Sequence, residues 1–378
     1  MNSVKSSQLL IDNATLQHMG ELFANGLQGD NDCELVVSPE QNCFSYKSIS
    51  ADARNAKCLF QMLNHLVFAD SALVEKKQTG AWSEYDELMC LTREGFVIPE
   101  PFHKYQEKWK PISQRFIDEL CVCPAMREQH ERNVQSFKAT QQSEDRAFSM
   151  IIWGGAGMLA RAHLLGIPYC GHPAREALFG QISSLFGQRS AEKRFRQFVS
   201  EQRVKVLRRV DSGGYLARLH LPPVAALIIQ EANKPDDLLK IAFQLRERYA
   251  SLRQWLREFQ AALDAGDVSD QLKREKILES VALNIDAKCS AFPTSPEGDT
   301  TIQIGLEWLN ASVNPAGFVN KVINLIGVRA LMNRLVLAPA GANVVRKLAE
   351  LFGEKNSALG RDLEFALLQS SETDQSSG

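Results

Sequence analysis

The sequence predicts an α+β, helix-dominated fold, in which an N-terminal α/β part packs on a mostly helical C-terminal part. Short apolar runs that are typical of strands lie mainly before residue 171. Longer stretches with helical spacing of their apolar residues separate these runs and fill the rest of the chain. The longest of them, about residues 235–265, predicts one long helix in the C-terminal part.

Both ends of this long helix carry residues that helix termini favour. Pro235 suits the first turn, where its missing N–H needs no partner, and Gly266 suits the left-handed position after a helix. The apolar residues between them recur at alternating intervals of three and four, which predicts a seam that faces the core. The seam consists of Ala242, Leu245, Tyr249, Leu252, Leu256, Phe259 and Leu263. We expect Leu252 and Leu256 to be buried.

The N-terminal part alternates short predicted strands with predicted helices. The strands are expected at Gln8 to Asp12, Glu34 to Val37, Ala72 to Glu75, Gly95 to Ile98 and Ile167 to Cys170. The helices are expected from Asn13 or Ala14 to Gly26 or Gly29, from Ser50 to Phe68, from Lys104 to Gln142 with breaks at Pro111 and Pro124, and from Pro173 to Phe186. This alternation predicts an α/β arrangement.

The stretch from Asp145 to Leu165 allows two interpretations. In one, Phe148 to Trp153 is a buried strand that a glycine loop joins to a short helix. In the other, a single helix runs through the whole stretch, and its glycines let another segment approach closely. We favour the continuous helix, because its apolar and charged residues fall on consistent faces.

The C-terminal part is predicted to be helical apart from a strand at Thr301 to Ile304. Besides the long helix, helices are expected at Val268 to Ala287, Pro315 to Leu337 and Ala342 to Phe352. We divide the chain into an α/β domain at residues 1–186, a helical domain at 187–369 and a disordered tail at 370–378.

The composition is that of an ordinary globular protein with a substantial core. Hydrophobic residues make up 44% of the 378 residues, charged residues 23%, and the formal net charge is −2. This balance argues against a dedicated nucleic-acid coat or a membrane-surface binder. The N-terminal segment lacks a signal peptide, and the uncharged stretch from Ala147 to Ala160 is too short to span a bilayer. We therefore expect a soluble cytoplasmic protein with reduced cysteines.

Asp12 follows a short apolar run and precedes a predicted helix. A strand that ends in aspartate resembles the start of PIN-like nuclease domains. The resemblance implies a divalent-metal site at Asp12, with Asp70 and Asp86 as candidates for the other catalytic carboxylates. The later helical aspartate of such domains is absent, since Arg161 and His163 occupy the comparable stretch. The alternative role for Asp12 is to cap the following helix.

A glycine run and several cysteine–histidine pairs could each bind a ligand, but each also has a simpler structural explanation. The run Gly154 to Gly157 would bind phosphate at a helix start, but close helix packing explains it without a ligand. Cysteine and histidine pairs are spaced too tightly for a usual zinc site, and His172 is more simply the residue that enters the next helix. These pairs involve Cys121, Cys123 and His130, and His163, Cys170 and His172. We predict no metal site outside the nuclease alternative, and no cofactor.

Nine basic residues and only three acidic ones lie between Gly187 and His220. Arg194, Arg203 and Lys205 are the candidates there for contact with nucleic acid or phosphate, unless the segment is merely a solvated helix face. Arg161 and Arg175 are further candidates, although both lie beside apolar elements where a guanidinium needs an acidic partner. The obvious partners in sequence are Glu144, Asp145 and Glu176.

No constellation of residues establishes a catalytic activity. We therefore expect a cytoplasmic bacterial interaction or regulatory protein, one component of a multi-protein system, which binds another protein or itself and no membrane. The alternatives are a metal-dependent nuclease with a PIN-like carboxylate site at Asp12, and a nucleic-acid-binding protein that uses residues 189–209.

Overall fold

The structure is a computed structural model that describes residues 8–81, 85–165, 167, 169–186, 217–221, 224–250, 253–254, 300–304, 335–336, 342–353, 362–363 and 367. Its fold is α+β and helix-dominated, as the sequence predicts. The strands are β1 Gln8–Ile11, β2 Asn31–Ser38, β3 Cys43–Ser50, β4 Ser71–Glu75, β5 Val97–Glu100, β6 Tyr169–Cys170, β7 Ala217–Leu221, β8 Thr300–Ile304 and β9 Leu335–Val336. The helices are α1 Asn13–Asn25, α2 Ala51–Phe68, α3 Asp86–Arg93, α4 Gln106–Leu120, α5 Pro124–Thr140, α6 Arg146–Leu165, α7 Pro173–Phe186, α8 Val224–Glu231, α9 Asp237–Arg248 and α10 Ala342–Phe352.

A four-stranded parallel sheet in the order β5-β4-β1-β6 forms the centre of the N-terminal part. The chain moves outward from β1 to β4 and β5, and then returns to place β6 on the other side of β1. The strand order therefore reverses between β1 and β6. In open parallel sheets, this point at the carboxyl ends of the strands is where ligands usually bind.

The start of α1 is set by a single side chain. Asp12 has extended backbone angles, and its Oδ1 accepts a hydrogen bond of 3.0 Å from the N–H of Ala14. At the other end Gly26 has a φ of 66°, which a residue without a side chain adopts at little cost. β1 ends at Ile11, one residue before the predicted end, while the predicted start of α1 at Asn13 and its end at Gly26 are confirmed.

Two predicted strand boundaries are corrected by the pairing of the strands. β2 is longer than predicted because it pairs along its whole length with β3, a strand that the sequence pattern did not indicate. β5 continues through Pro99 to Glu100, where the sequence predicted a stop. Pro99 is tolerated because β5 is an edge strand, so its missing N–H need not reach a second neighbour.

The helices predicted between residues 104 and 165 are corrected at one point and confirmed at another. α4 runs through Pro111, where we expected a break. Pro111 is the sixth residue of α4 and lacks the N–H that would bond to the Glu107 carbonyl. The continuous helix predicted over residues 145–165 is confirmed as α6. In the part of the chain that the structure describes, α6 is the one helix long and apolar enough to span a bilayer, but it is mostly buried within the protein.

Two hydrophobic clusters cover the two faces of the parallel sheet. Leu9 and Ile11 point into one cluster, together with α1, α2 and the described C-terminal helices. Leu10 points into the other, with α4, α6 and the hairpin of β2 and β3. This alternation follows from the period of two in a strand. It places the residue after Ile11, Asp12, at the end of the sheet beside the second cluster.

The described part of the predicted long helix is α9, which ends at Arg248. Its residues Ala242 and Leu245 are buried against α2, as the seam predicts. Tyr249, the next residue of the seam, is half-buried and packs against the same cluster. Leu252, Leu256, Phe259 and Leu263 lie outside the described residues. The helix predicted from Pro315 to Leu337 is wrong at its end, because Leu335–Val336 pairs with β8 as strand β9. The division into domains at residue 186 stays a prediction.

Candidate functional site

The buried polar groups of the N-terminal part gather at the carboxyl edge of the parallel sheet, where the strand order reverses. Asp12 follows β1 at this edge and is 1% exposed. The backbone N–H of Asp12 donates to the carbonyl of Cys170, at the end of β6. His172 then begins α7, since its carbonyl accepts hydrogen bonds from the N–H groups of Arg175 and Glu176. Asp12 and His172 therefore stand on either side of the switch point.

Both carboxylate oxygens of Asp12 are engaged. Oδ1 caps α1, while Oδ2 accepts hydrogen bonds from the Tyr169 hydroxyl and from Nη1 of Arg175, the latter at 2.5 Å. The other two nitrogens of the Arg175 guanidinium donate to the Met150 carbonyl at 3.1 and 2.7 Å. Asp12 thus links the start of α1 to α6, β6 and α7.

The protonation of this group follows from burial and the ion pair together. Burial alone would raise the pKa of Asp12, but the charges of Arg175 and His172 and the hydrogen bond from Tyr169 hold the pKa below its usual value. Burial and the Asp12 carboxylate raise the pKa of the Tyr169 hydroxyl well above its usual value. Asp12 is therefore ionised and Tyr169 is protonated at neutral pH. The positive charge of Arg175 balances the negative charge of Asp12.

Glu75 is the second buried carboxylate at the same edge. The register pairs Leu10 with Leu73, and Asp12 and Glu75 each lie two residues further along, at the same edge of the sheet. Its carboxylate lies 3.7 Å from Nη2 of Arg161 and is 5% exposed. The Arg161 guanidinium also stacks on Trp109, with its carbon 4.2 Å from the ring centroid. Glu75, like Asp12, is paired with an arginine, and the Arg161 side chain is 15% exposed.

The candidate carboxylates of the nuclease alternative do not come together. Asp70 precedes β4, at the amino edge of the sheet, whereas Asp12 follows β1 at the carboxyl edge. The Asp70 carbonyl accepts a hydrogen bond from Arg246 at 2.5 Å. Asp86 is exposed at the start of α3. The other buried carboxylate at the same edge as Asp12 is Glu75, at the end of β4, which the sequence analysis did not select.

Arg161 and Arg175 are each held in an ion pair, as we expected of a buried guanidinium. The partners, however, are Glu75 and Asp12, and not the sequence neighbours Glu144, Asp145 and Glu176. The partners differ from those expected because of the topology. α6 and α7 place these arginines over the ends of strands that lie far away in sequence. Arg194, Arg203 and Lys205, the other candidates, lie outside the described residues.

A second polar group adjoins this network on the side of α1 and α2. His18 on α1, Cys58 on α2 and His172 at the start of α7 present three possible ligand atoms that all lie within 4.8 Å of one another. Nδ1 of His18 and Nε2 of His172 are 2.7 Å apart and share a hydrogen bond. Cys58 and His172 are buried, whereas His18 is half-buried. The group thus contains His172, which the sequence analysis considered, and His18 and Cys58, which it did not.

Burial sets the protonation of all three groups. It lowers the pKa of His18 to about 2, helped by the positive charges of His172 and Arg54. It lowers the pKa of His172 to about 3, although the carboxylate of Asp12 acts in the opposite direction. Burial also raises the pKa of the Cys58 thiol. At neutral pH the group therefore consists of two neutral imidazoles and a protonated thiol.

The glycine run has the packing role that the sequence analysis proposed as the alternative to phosphate binding. A Cβ atom at Gly154 would lie 1.9 Å from Nη2 of Arg175, and one at Gly155 would lie 2.9 Å from the ring of Phe179. The two glycines therefore make room for α7 against α6. They allow the Arg175 side chain to pass between the helices and reach Asp12.

The other cysteine and histidine candidates lie apart from the group of His18, Cys58 and His172. Cys121 and Cys123 are buried around the end of α4, and His130 accepts a hydrogen bond of 2.9 Å from Trp153. His163 contacts the ring of Phe116. Sequence reasoning missed His18, Cys58 and Glu75, because each lies within an apolar helix or strand and looks like a core residue. The one local signal was the position of Glu75 at the end of a predicted strand.

Comparison of the chain with known protein families, with curated proteins and with solved structures finds no match.

Proposed function

We propose that this chain is a cytoplasmic interaction or regulatory protein that works by binding, and that it is not a metal-dependent nuclease. The observation that carries the proposal is the pairing of Asp12 with Arg175 and of Glu75 with Arg161. Two-metal hydrolysis needs carboxylate oxygens that are free to bind the ions and a site whose charge is negative. The two ion pairs together carry no net charge.

One feature of the described residues supports a binding role, and a second supports a cytoplasmic location. Aromatic side chains are enriched in protein interfaces. Phe137 on α5 is 44% exposed and packs edge-on against the half-buried Trp153, while Tyr46 on β3 is 38% exposed. The seven described cysteines are all free, which suits a reducing cytoplasm.

A cleavage assay tests the first half of the proposal. The purified chain is incubated with single-stranded and duplex oligonucleotides in Mg²⁺ or Mn²⁺, beside the Asp12→Asn and Glu75→Gln variants. We expect no cleavage that depends on either carboxylate. Metal-dependent cleavage by the unaltered chain, lost in both variants while their circular dichroism stays native, would overturn the proposal.

Light scattering over a range of concentrations tests the second half. If the chain binds itself, its mass rises with concentration, and Phe137→Ser reduces that rise without lowering thermal stability. If the chain is a monomer at all concentrations, its partner is a different protein. Phe137→Ser should then lose the complex with that partner. If this variant keeps the complex, the surface around Phe137 on α5 is not the binding surface.

The basic segment supports a second candidate, nucleic-acid binding through Arg194, Arg203 and Lys205. The excess of nine basic over three acidic residues between Gly187 and His220 is the observation that favours it. Fluorescence anisotropy with oligonucleotides at low and physiological salt tests it, because displaced counterions make such binding salt-dependent. Tight binding at physiological salt that is lost on charge reversal at Arg194 and Arg203 would favour this candidate over a protein partner.

A further inference from the structure

We propose that His18, Cys58 and His172 form a binding site for a divalent transition metal, with Zn²⁺ as the best-suited ion. The inference goes beyond the proposed function and does not depend on it. It departs from the sequence-based expectation, which named His172 only as the residue that enters a helix.

The first argument is the geometry of the three ligand atoms. Zinc bonds of about 2.0–2.1 Å to nitrogen and about 2.3 Å to sulfur place neighbouring tetrahedral ligands about 3.4–3.6 Å apart. The three candidate atoms lie within 4.8 Å of one another. The two nitrogens that share the hydrogen bond, 2.7 Å apart, need to separate by less than about 1 Å. Rotation of the half-buried His18 side chain is sufficient for such a movement.

The second argument is the chemistry of the ligands. Two imidazoles and a thiol form a mixed nitrogen and sulfur set, which selects zinc, cobalt or copper over magnesium and calcium. Each imidazole can offer the lone pair of one ring nitrogen to a metal ion. The thiol of Cys58 loses its proton to solvent as the sulfur–metal bond forms, so the bound ion and its thiolate keep one net positive charge.

The third argument is the position of the group in the fold. The three residues come from α1, α2 and α7, and His172 stands at the point where the strand order reverses. His172 is 1% exposed, and its Nδ1 is buried without a hydrogen-bond partner. A direct hydrogen bond to His18 therefore leaves His172 incompletely satisfied, in either tautomer.

Two positively charged side chains lie near the group. Arg54 and Arg175 lie close enough to affect His18 and His172, and both would repel a cation. Arg54 is paired with Asp32, and Arg175 with Asp12, so the repulsion is largely compensated. Three protein ligands leave a fourth position, which a water molecule would take from the half-buried side of His18.

Cobalt is the probe for this site, because a thiolate ligand gives bound Co²⁺ an intense charge-transfer absorption in the near ultraviolet. The chain is purified without a histidine tag, treated with a chelator and titrated with Co²⁺. We expect one equivalent to bind with this absorption, and Zn²⁺ to displace it. The melting temperature should rise when either metal is added, because the metal binds the folded state.

The variants identify the ligands. Cys58→Ser should abolish the thiolate band. His18→Gln should weaken Co²⁺ binding by more than about 100-fold, because the loss of a ligand costs more than the loss of a residue that only orients one. Cys170→Ser is the matched control, since it removes another buried thiol near the group. It should keep the band and the affinity.

Three outcomes would overturn the inference. They are a chain that binds less than one equivalent, a band that survives in both Cys58→Ser and His18→Gln, and a band that is lost only in Cys170→Ser. If Cys58→Ser does not fold, His18→Gln decides the question, because its side chain is half-buried and its loss leaves the core intact.

Discussion

Nη1 of Arg175 lies 2.5 Å from Oδ2 of Asp12, across 163 residues of sequence. The carboxylate is 1% and the guanidinium side chain 9% exposed, so each charge depends on the other for its stability inside the protein. Asp12 is therefore more than a helix cap.

The first prediction concerns this pair. Asp12→Asn keeps a capping oxygen but leaves the guanidinium of Arg175 buried without a counter-charge. We expect the free energy of unfolding to fall by about 3–5 kcal/mol, as for other broken buried pairs. Urea denaturation of this variant, of Arg175→Met and of the double variant gives the coupling between them. The double variant should be more stable than Asp12→Asn alone; a loss of only about 0.5–2 kcal/mol in the single variant would reduce Asp12 to a cap.

A second prediction concerns the glycine that lets Arg175 through. Gly154→Ala places a Cβ atom 1.9 Å from Nη2 of Arg175, which its bonds to Asp12 and Met150 hold in place. We expect a loss of about 1–3 kcal/mol from overpacking. Gly180→Ala on α7 is the control, because a Cβ atom there meets nothing within 4 Å. Thermal denaturation should show the control to be slightly stabilised, by about 0.5–1 kcal/mol. Equal effects of the two substitutions would contradict the packing role of Gly154.

The third prediction concerns pH. Burial lowers the pKa of His65 on α2 from 6.5 to about 4. Between these values the unfolded chain binds a proton that the folded chain does not, so stability falls as the pH is lowered from about 6.5 to about 4. The loss from this group is about 3 kcal/mol across that window, and below pH 4 it grows no further. His65→Gln should flatten the measured profile of unfolding free energy over the window. An unchanged slope would mean that other groups cause the loss.

The fourth prediction tests whether the C-terminal helices share the core of the α/β part. Leu238 on α9 is fully buried in the same cluster as α1 and α2. Leu238→Ala should cost about 2–5 kcal/mol and shift a single unfolding transition. Lys240→Ala, an exposed change on the same helix, should have little effect. Two separate transitions, of which only one moves, would support the domain boundary predicted at residue 186.

Local signals explain which parts of the fold the sequence predicts. The start of α1 is predictable because Asp12, its cap, is one residue away from the helix that it caps. The strand β3 is not, because most of its side chains are half-buried or exposed, and only its pairing with β2 makes it a strand. The strand β5 was wrongly predicted to stop before Pro99 for a related reason. The sequence does not reveal that β5 lies at an edge of the sheet, where a proline is tolerated.

The candidate site is harder to predict because it is assembled across the switch point. His18 and Cys58 lie within helices whose apolar spacing already accounts for them, and nothing local distinguishes them from core residues. Glu144 and Asp145 are closer to Arg161 in sequence than its true partner, Glu75. Such partnerships depend on the strand order, which the pattern of one sequence does not fix.

The position of β6 beside β1 has a consequence for the synthesis of the chain. Tyr169 lies 157 residues after Asp12. At a ribosomal rate of about 5–20 residues per second, β1 waits roughly 8–30 s for its second neighbour. During that time β1 and β4 can already pair, but the other edge of β1 stays open to any extended segment. A nascent chain that stalls before β6 emerges would therefore present an apolar edge, Gln8–Ile11, to chaperones or to other copies of itself.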